Sequence, residues 1–196
     1  MRLQYQRIEI DGKLYVDGFD RSSEYRKIFP SMPIGKTILD VGCHNGYYVL
    51  QACYEGAAYA YGIEKSYDWA RKGQEIAEAA GISTAHIYHN SIEDIALSGM
   101  FDVILCLNLL HHYRGVDLVK EILDKLDKVC RERMVFVVID PSDPAALWSR
   151  EKTIRGQTKT RLSWMFFQDL WPEYEVTFQP TTVEPPGRTI VNVQKP

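Results

Sequence analysis

Short apolar runs alternate with amphipathic stretches along most of this chain, and this alternation predicts strands connected by helices. The apolar runs show no polar face, as expected for parallel strands that helices cover on both sides. The most strand-like run is Phe-Asp-Val-Ile-Leu-Cys-Leu. The pattern predicts five such strands, at Thr37–Val41, Ala58–Ile63, Ala85–Tyr88, Phe101–Leu107 and Met134–Ile139.

The amphipathic stretches between these runs predict the connecting helices, because their apolar residues recur at helical spacing. One of them should start at a capping Ser66 and end before Gly81, which suits the turn after a helix. The predicted helices lie at Tyr47–Tyr54, Ser66–Ala80 and Val116–Val129.

The two ends of the chain depart from this alternation. Ile8–Val16 predicts a hairpin, because its Asp-Gly pair tolerates the positive φ angles of a tight turn, and a helix over Ser22–Phe29 should follow. After a helix near Arg161–Leu170, the strands Glu175–Gln179 and Thr189–Val193 have no helix between them and should pair antiparallel.

The fold class predicted from these elements is α/β. We expect a doubly wound, Rossmann-like sheet of seven mostly parallel strands that ends in an antiparallel hairpin, with helices on both faces. Residues 1–34 should form a hairpin and helix packed on a core of residues 35–196, within a single structural domain.

Composition narrows the classes of function. The chain has 196 residues, 45% hydrophobic and 25% charged, with a net charge of −3, which does not favour a dedicated nucleic-acid binder. The start lacks the apolar core of a signal peptide, and no apolar stretch approaches the ~20 residues of a membrane span. The four cysteines lack metal-site spacing, and His86 and His89 lack a third ligand. We therefore expect a cytoplasmic protein without a membrane or metal partner, of unknown oligomeric state.

The segment after the first long strand carries the chemistry. Asp40, at the strand end, can accept hydrogen bonds from an amine, and Gly42 and Gly46 let the backbone approach a ligand closely. The helix that follows Gly46 favours an anion at its amino end. Glu64 follows the next strand, 18 residues beyond Gly46, near the spacing at which a carboxylate reaches ribose hydroxyls. Asp40 and the start of the helix together suit an amino-acid moiety, and the position of Glu64 suits a ribose.

Leu39-Asp40-Val41-Gly42-Cys43-His44-Asn45-Gly46 resembles the first motif of class I methyltransferases, with His44 in place of the commonest middle glycine. The resemblance implies S-adenosylmethionine as methyl donor and S-adenosylhomocysteine as product. It also implies that Ser91, where the family often has aspartate, and Ile92 hold adenine, and that Phe101–Leu107 is the fourth motif strand. The predicted cofactor-binding residues are Asp40, Gly42, Cys43, His44, Gly46, Glu64, Ser91, Ile92, Leu107 and Asn108.

The order of Ile10-Asp11-Gly12, Asp20-Arg21, Gly35–Cys43 and Gly62-Ile63 is similar to the tRNA wobble-uridine carboxymethyltransferase family. That family uses carboxylated S-adenosylmethionine and reads the added carboxylate partly with a lysine and a tyrosine. Gly18 and His111 stand at those positions in our alignment, so we expect ordinary S-adenosylmethionine. The shorter chain also leaves little room for an extension that grips tRNA.

His111 and His112 follow the fourth strand, at the sheet edge where open α/β folds bind ligands. Either could be the base that takes a proton from a hydroxyl or amine, and either could instead pack the loop. Arg150, Lys152 and Arg155 lie in a long polar loop that we interpret as a substrate lid for a phosphate or carboxylate, although a solvated loop explains it equally well.

The expected activity is methyl transfer to an oxygen or nitrogen of a small molecule, with tRNA wobble-uridine modification as the alternative. A nicotinamide dehydrogenase would need Gly-x-Gly-x-x-Gly, but His44 and Tyr47 occupy its second and third glycine positions. A non-catalytic interaction protein with the same fold also stays open.

Overall fold

The computed structural model describes residues 5–113, 115–139, 162–181 and 188–196. The chain divides into two compact units, Met1–Ala96 and Leu97–Pro196. Their seven longer strands confirm the predicted mixed, mostly parallel sheet that ends in an antiparallel hairpin. The predicted boundary after residue 34 stays a prediction.

The first unit opens with the predicted hairpin. Strands β1 (Ile8–Ile10) and β2 (Lys13–Val16) pair antiparallel. Asp11 and Gly12 between them have φ angles of 51° and 72°, the tight-turn geometry expected of an Asp-Gly pair.

Helix α1 (Ser22–Ile28) follows and is one residue shorter than predicted, because Pro30 lies just beyond it. Two polar contacts join α1 to the next helix and to the residue that follows that helix. Arg26 lies 2.5 Å from the carboxylate of Glu55, and the buried Tyr48 hydroxyl donates to Glu24. These contacts tie the amino-terminal elements to the rest of the first unit.

The parallel strands of the first unit lie in the order β5-β4-β3, with β3 at Thr37–Val41, β4 at Tyr59–Glu64 and β5 at Ala85–His89. Helices α2 (Tyr47–Tyr54) and α3 (Tyr67–Ala79) connect them. The bounds of β3 and α2 are as predicted, whereas β4, α3 and β5 differ by one residue at one or both ends.

Ser66 occupies the N-cap position of α3, but the prediction that it caps the helix is wrong at the level of its side chain. The hydroxyl makes no capping hydrogen bond. Its backbone N–H instead donates to the carboxylate of Glu64 at 2.8 Å. At the other end Gly81 has a φ of 68°, which gives the predicted glycine stop.

The strands of the second unit are β6 (Phe101–Leu107), β7 (Cys130–Ile139), β8 (Glu175–Pro180) and β9 (Arg188–Gln194). They lie in the order β6-β7-β9-β8. Strands β6 and β7 are parallel, and β9 pairs antiparallel with both β7 and β8, as predicted for the final pair. Phe136 on β7 stacks on Phe167 of the last helix at 4.7 Å. The helical elements of this unit are a 3₁₀ turn (Leu110–His112), α4 (Val116–Val129) and α5 (Trp164–Leu170).

Strand β7 starts four residues earlier than its apolar run indicates. Its first residues are polar, but Cys130 pairs with Phe101 of β6, and Arg133 pairs with Gln194 of β9. Neighbours on both sides therefore extend the strand beyond its hydrophobic part.

The cysteines and the apolar character of the helices relate to the predicted cellular location. All four cysteines are buried free thiols, at Cys43, Cys53, Cys106 and Cys130. Among the described helices, none combines the length and the apolar character needed to cross a bilayer.

Candidate functional site

The first unit places a buried, unsatisfied carboxylate at the end of β3. Asp40 is 2% exposed, and its Oδ2 atom has no hydrogen-bond partner among the described residues. Burial, and secondarily the negative charge of Glu64, raise its pKa to about 8. A buried polar atom without a partner costs free energy, so this oxygen is suited to accept a hydrogen bond from a ligand.

The turn after β3 bends back to the neighbouring strand and then starts α2. The N–H of Gly42 donates to the carbonyl of Ile63 at 2.8 Å. Gly46 has a φ of 80°, and a Cβ atom there would lie 2.2 Å from Cδ1 of Ile87. The positive φ favours glycine at the amino end of α2, and any side chain there would have to displace the end of Ile87. The predicted helix start for an anionic group is present.

Cys43 contributes to this turn through its backbone. Its side chain is 1% exposed and lies so close to Gly62 that a Cβ on that glycine would be 2.6 Å from Sγ. Burial raises the pKa of this thiol well above its usual range. At this predicted site residue, the side chain is therefore a neutral thiol packed against β4.

Glu64 lies beside the turn, as predicted from its spacing, and its carboxylate holds two backbone groups. One oxygen accepts the N–H of His44 at 2.9 Å, and the other accepts the N–H of Ser66 at 2.8 Å. The carboxylate thus joins the glycine turn to the start of α3. Charge-assisted bonds of this kind fix the direction of the side chain.

His44 takes a left-handed backbone conformation with a φ of 56°. Its ring stacks on Trp69 of α3, with centroids 4.0 Å apart and planes at 28°, and Tyr5 lies 5.3 Å away. Burial lowers the pKa of this imidazole, which favours its neutral form. Trp69 was not predicted as part of the site, because its contact depends on how α3 packs.

Gly73 is a second contact that sequence reasoning missed. A Cβ at this position would lie 2.9 Å from the carbonyl oxygen of Asn45 and 2.6 Å from Cδ1 of Ile87. Helix α3 therefore packs directly on the backbone of the turn. A glycine within an otherwise favourable helix was the available signal.

The predicted adenine segment is a turn after β5. The Ser91 hydroxyl donates to the Glu93 carboxylate, and the Ser91 carbonyl accepts the N–H of Ile95 at 2.9 Å. Ile92 is 3% exposed. The carbonyl of Glu64 accepts the N–H of Asn90 at 3.0 Å, so the residue whose carboxylate contacts the turn after β3 also holds this segment.

In the second unit, Leu107 ends β6 and Asn108 turns the chain with a φ of 58°. The N–H of Asn108 donates to the carbonyl of Val137 at 3.0 Å. Its side-chain oxygen accepts a hydrogen bond from the guanidinium of Arg188, the first residue of β9. Arg188 was not predicted, since 80 residues separate it from Asn108.

His111 and His112 lie together in the 3₁₀ turn after Asn108. Their ring centroids are 4.2 Å apart, and His111 is buried while His112 is exposed. The two predicted bases therefore differ in their access to solvent. An exposed imidazole can exchange protons with water directly, whereas a buried one is better suited to hold a loop or ligand in place.

The predicted lid residues Arg150, Lys152 and Arg155 lie outside the described residues. Across the part of the chain that is described, no group of three or more His, Cys, Asp or Glu side chains is arranged to hold a metal ion.

A family model described as "Methyltransferase domain" matches residues 34–175, which is well over half of the chain. The chain belongs to the methyltransferase domain family. The predicted enzyme class is thereby confirmed, and the S-adenosylmethionine dependence expected from the first motif agrees with it.

Curated relatives of this methyltransferase include two tRNA U34 carboxymethyltransferases. The protein from Shewanella sediminis is 30% identical over 146 residues, which cover 69% of this chain and 44% of the relative. The protein from Desulfotalea psychrophila is 28% identical over 126 residues, which cover 59% of this chain and 39% of the relative. The chain spans about two fifths of the length of these relatives.

Solved structures of similar fold include magnesium protoporphyrin IX methyltransferase from Synechocystis PCC 6803 with bound S-adenosylmethionine. It has a TM-score of 0.67 and 14% identity, covering 89% of this chain and 76% of that one. An S-adenosylmethionine-dependent methyltransferase from Mesorhizobium loti has a TM-score of 0.64 and 15% identity, covering 89% and 97%. At these identities the likeness shows the fold.

Proposed function

We propose that this methyltransferase transfers the methyl group of S-adenosylmethionine to an oxygen or nitrogen of a small molecule. The observation that carries the proposal is the Asp40 carboxylate, buried without a partner for Oδ2 beside a turn whose positive φ at Gly46 favours glycine at the helix start. The donor is a natural occupant, because it presents an ammonium, a carboxylate and ribose hydroxyls together.

The residues of the first unit match these three groups. Asp40 would accept hydrogen bonds from the ammonium, and the amino end of α2 after Gly46 would receive the carboxylate. Glu64, already oriented by His44 and Ser66, would hold the ribose hydroxyls. Ser91 and Ile92 would hold the adenine, with Ile92 offering the apolar surface.

The histidine pair of the second unit supplies the chemistry for a protic acceptor. A sulfonium methyl carbon is already activated by its positive charge, so orientation of the acceptor in line with it provides most of the rate enhancement. His111 or His112 would take the proton that a hydroxyl or ammonium acceptor loses, an effect of about 10²–10⁴-fold. The remaining member of the pair would orient the loop.

Calorimetric titration with S-adenosylhomocysteine tests the donor site. We expect the wild-type protein to bind and Asp40→Asn to bind about 100-fold more weakly, because the amide lacks the charge that the ammonium requires. Asp124→Asn, an exposed position on α4, is the matched control and should bind as wild type. Absence of binding by the wild-type protein would overturn the proposal.

Affinity should also rise with pH below about 8. In the folded protein without ligand, the Asp40 carboxyl has a pKa of about 8. The ionised form that pairs with an ammonium therefore becomes more populated as the pH approaches that value. The Asp40→Asn variant should lose this dependence.

A second candidate function is modification of the tRNA wobble uridine, which the names of the curated relatives favour. Incubation with tritium-labelled S-adenosylmethionine and a cell extract separates the candidates. Label in the low-molecular-weight fraction supports the small-molecule acceptor, and label in purified tRNA supports the alternative.

We also propose a cytoplasmic location for this methyltransferase, since four buried free thiols suit a reducing compartment.

A further inference from the structure

His44 is held in an unfavourable backbone conformation at a position where the structure needs its N–H. With a φ of 56° it lies in the left-handed region, which costs free energy for any residue with a Cβ. Its N–H nevertheless donates to Oε2 of Glu64 at 2.9 Å. Something must therefore compensate for the strain and keep this N–H directed at the carboxylate.

The stack of His44 on Trp69 provides this compensation. The rings lie 4.0 Å apart at 28°, near-parallel contact for an aromatic pair. The imidazole is thereby turned onto α3, where a glycine at the same position would leave that surface uncovered.

Trp69 does not act alone on the turn. Gly73 lies four residues further along α3, on the same face of the helix, and packs on the backbone of Asn45. One face of α3 thus contacts two successive residues of the turn, through a side chain at Trp69 and through backbone at Gly73. Ser66, at the start of the same helix, donates to the other oxygen of Glu64.

We infer that Trp69 is a positioning residue of the donor site, which holds His44 so that its N–H fixes the Glu64 carboxylate for the ribose. The inference rests on the proposed function for the assignment of Glu64 to the ribose. It assigns to a side chain on α3 a role that a glycine fills in the motif that this turn resembles. Glycine needs no such support, because it adopts positive φ freely.

Five variants, one of them double, test the inference by calorimetric titration with S-adenosylhomocysteine. Trp69→Ala should weaken binding about tenfold, and Trp69→Phe, which keeps an aromatic face, should stay close to wild type. In a His44→Gly background the turn no longer needs the stack, so adding Trp69→Ala should change affinity by less than about threefold. Tyr67→Ala removes a neighbouring, more exposed aromatic ring of α3 and is the matched control, expected to bind as wild type.

Hydrogen exchange of the His44 amide is a readout that does not depend on the donor. We expect this amide to be protected in the wild type and in Trp69→Phe, and to exchange at least about tenfold faster in Trp69→Ala. Thermal unfolding of each variant reports whether the fold is retained.

The outcomes separate the inference from the function on which it rests. Equal losses of affinity from Trp69→Ala in the wild-type and His44→Gly backgrounds would show that Trp69 acts independently of His44, and the inference would be wrong. Unchanged affinity and unchanged amide exchange in Trp69→Ala would also overturn it. Failure of the wild-type protein to bind S-adenosylhomocysteine would instead overturn the proposed function, while the amide exchange would still decide whether Trp69 holds the turn.

Discussion

Two turns that follow parallel strands of this protein place a residue with a side chain in the left-handed conformation. His44 lies after β3 in the first unit and has a φ of 56°, and Asn108 lies after β6 in the second and has a φ of 58°. Asparagine and histidine both adopt this conformation more often than most other residues with a side chain. The two turns share a left-handed backbone conformation, but different contacts stabilise it.

The support of His44 comes from the next strand and helix, that of Asn108 from a much later strand. His44 donates to Glu64 and stacks on Trp69, both within about 25 residues. Asn108 accepts from Arg188, 80 residues away. The comparison teaches that a strained residue at a strand end can be stabilised locally or by a distant element. Only the first kind leaves a signal near the motif.

The largest expected effect comes from the carboxylate that supports the first turn. Glu64→Gln would set an amide N–H₂ against the N–H of His44 or Ser66, because both carboxylate oxygens now accept. We expect about 100-fold weaker binding of S-adenosylhomocysteine by calorimetry. Glu75→Gln, an exposed carboxylate on α3 that pairs with Arg71, is the control. Binding within threefold of wild type would show that the local support of the first turn is dispensable.

The first turn, unlike the second, adjoins a carboxylate that should make stability depend on pH. The folded-state pKa of Asp40 is about 8, above its ordinary value of 3.8, so the folded protein holds an extra proton between these values. The free energy of unfolding should therefore fall as pH rises through this window, by at most about 1.4 kcal/mol per pH unit. Chemical denaturation of wild type and Asp40→Asn at several pH values measures the difference. Wild type should lose stability relative to Asp40→Asn as the pH rises, and a wild type that gained stability relative to this variant over the same window would contradict the assignment.

A smaller effect is expected where α3 meets the first turn. Gly73→Ala should gain roughly 1 kcal/mol of helix propensity but lose about 1–3 kcal/mol by overpacking against Asn45 and Ile87. Overpacking should prevail, because one of the contacts is backbone, and we expect a net loss near 1 kcal/mol in chemical denaturation. Lys72→Ala, exposed on the same helix, should not destabilise the protein. A more stable Gly73→Ala would mean that the turn yields to the helix.

The smallest effect should appear at the second turn. Asn108→Gly and Asn108→Ala both lose the hydrogen bond from Arg188, but glycine relieves the left-handed strain. We expect the alanine variant to be less stable by about 0.5–1 kcal/mol, measured by thermal unfolding of the pair. Equal stability of the two variants would show that the left-handed conformation contributes little strain at this turn.

The sequence was informative where one local rule determines the structure. Apolar runs located the strands of the sheet, and the Asp11-Gly12 pair located the turn of the first hairpin. The positions of Asp40 and Glu64 at successive strand ends followed from strand length and spacing alone. Each of these depends on residues within one or two elements.

Sequence reasoning was weaker wherever a distant element decides the outcome. The polar start of β7 does not resemble a strand, and it becomes one because β6 and β9 lie on either side of it. Arg188 reaches Asn108 only through the antiparallel pairing of β9 with β7. Trp69 contacts His44 only through the packing that Gly73 permits. Periodicity carries no information about such pairs.

The position of β9 between β7 and β8 constrains the order of events during synthesis. Among the described strands, β8 lies at the sheet edge and pairs with β9 alone, although β8 leaves the ribosome first. Until Arg188–Gln194 has emerged, the outer side of β7 and the whole of β8 present unpaired backbone groups, the kind of surface on which nascent chains associate. Rapid pairing of β9 with β7 and β8 would therefore protect the nascent chain from aggregation.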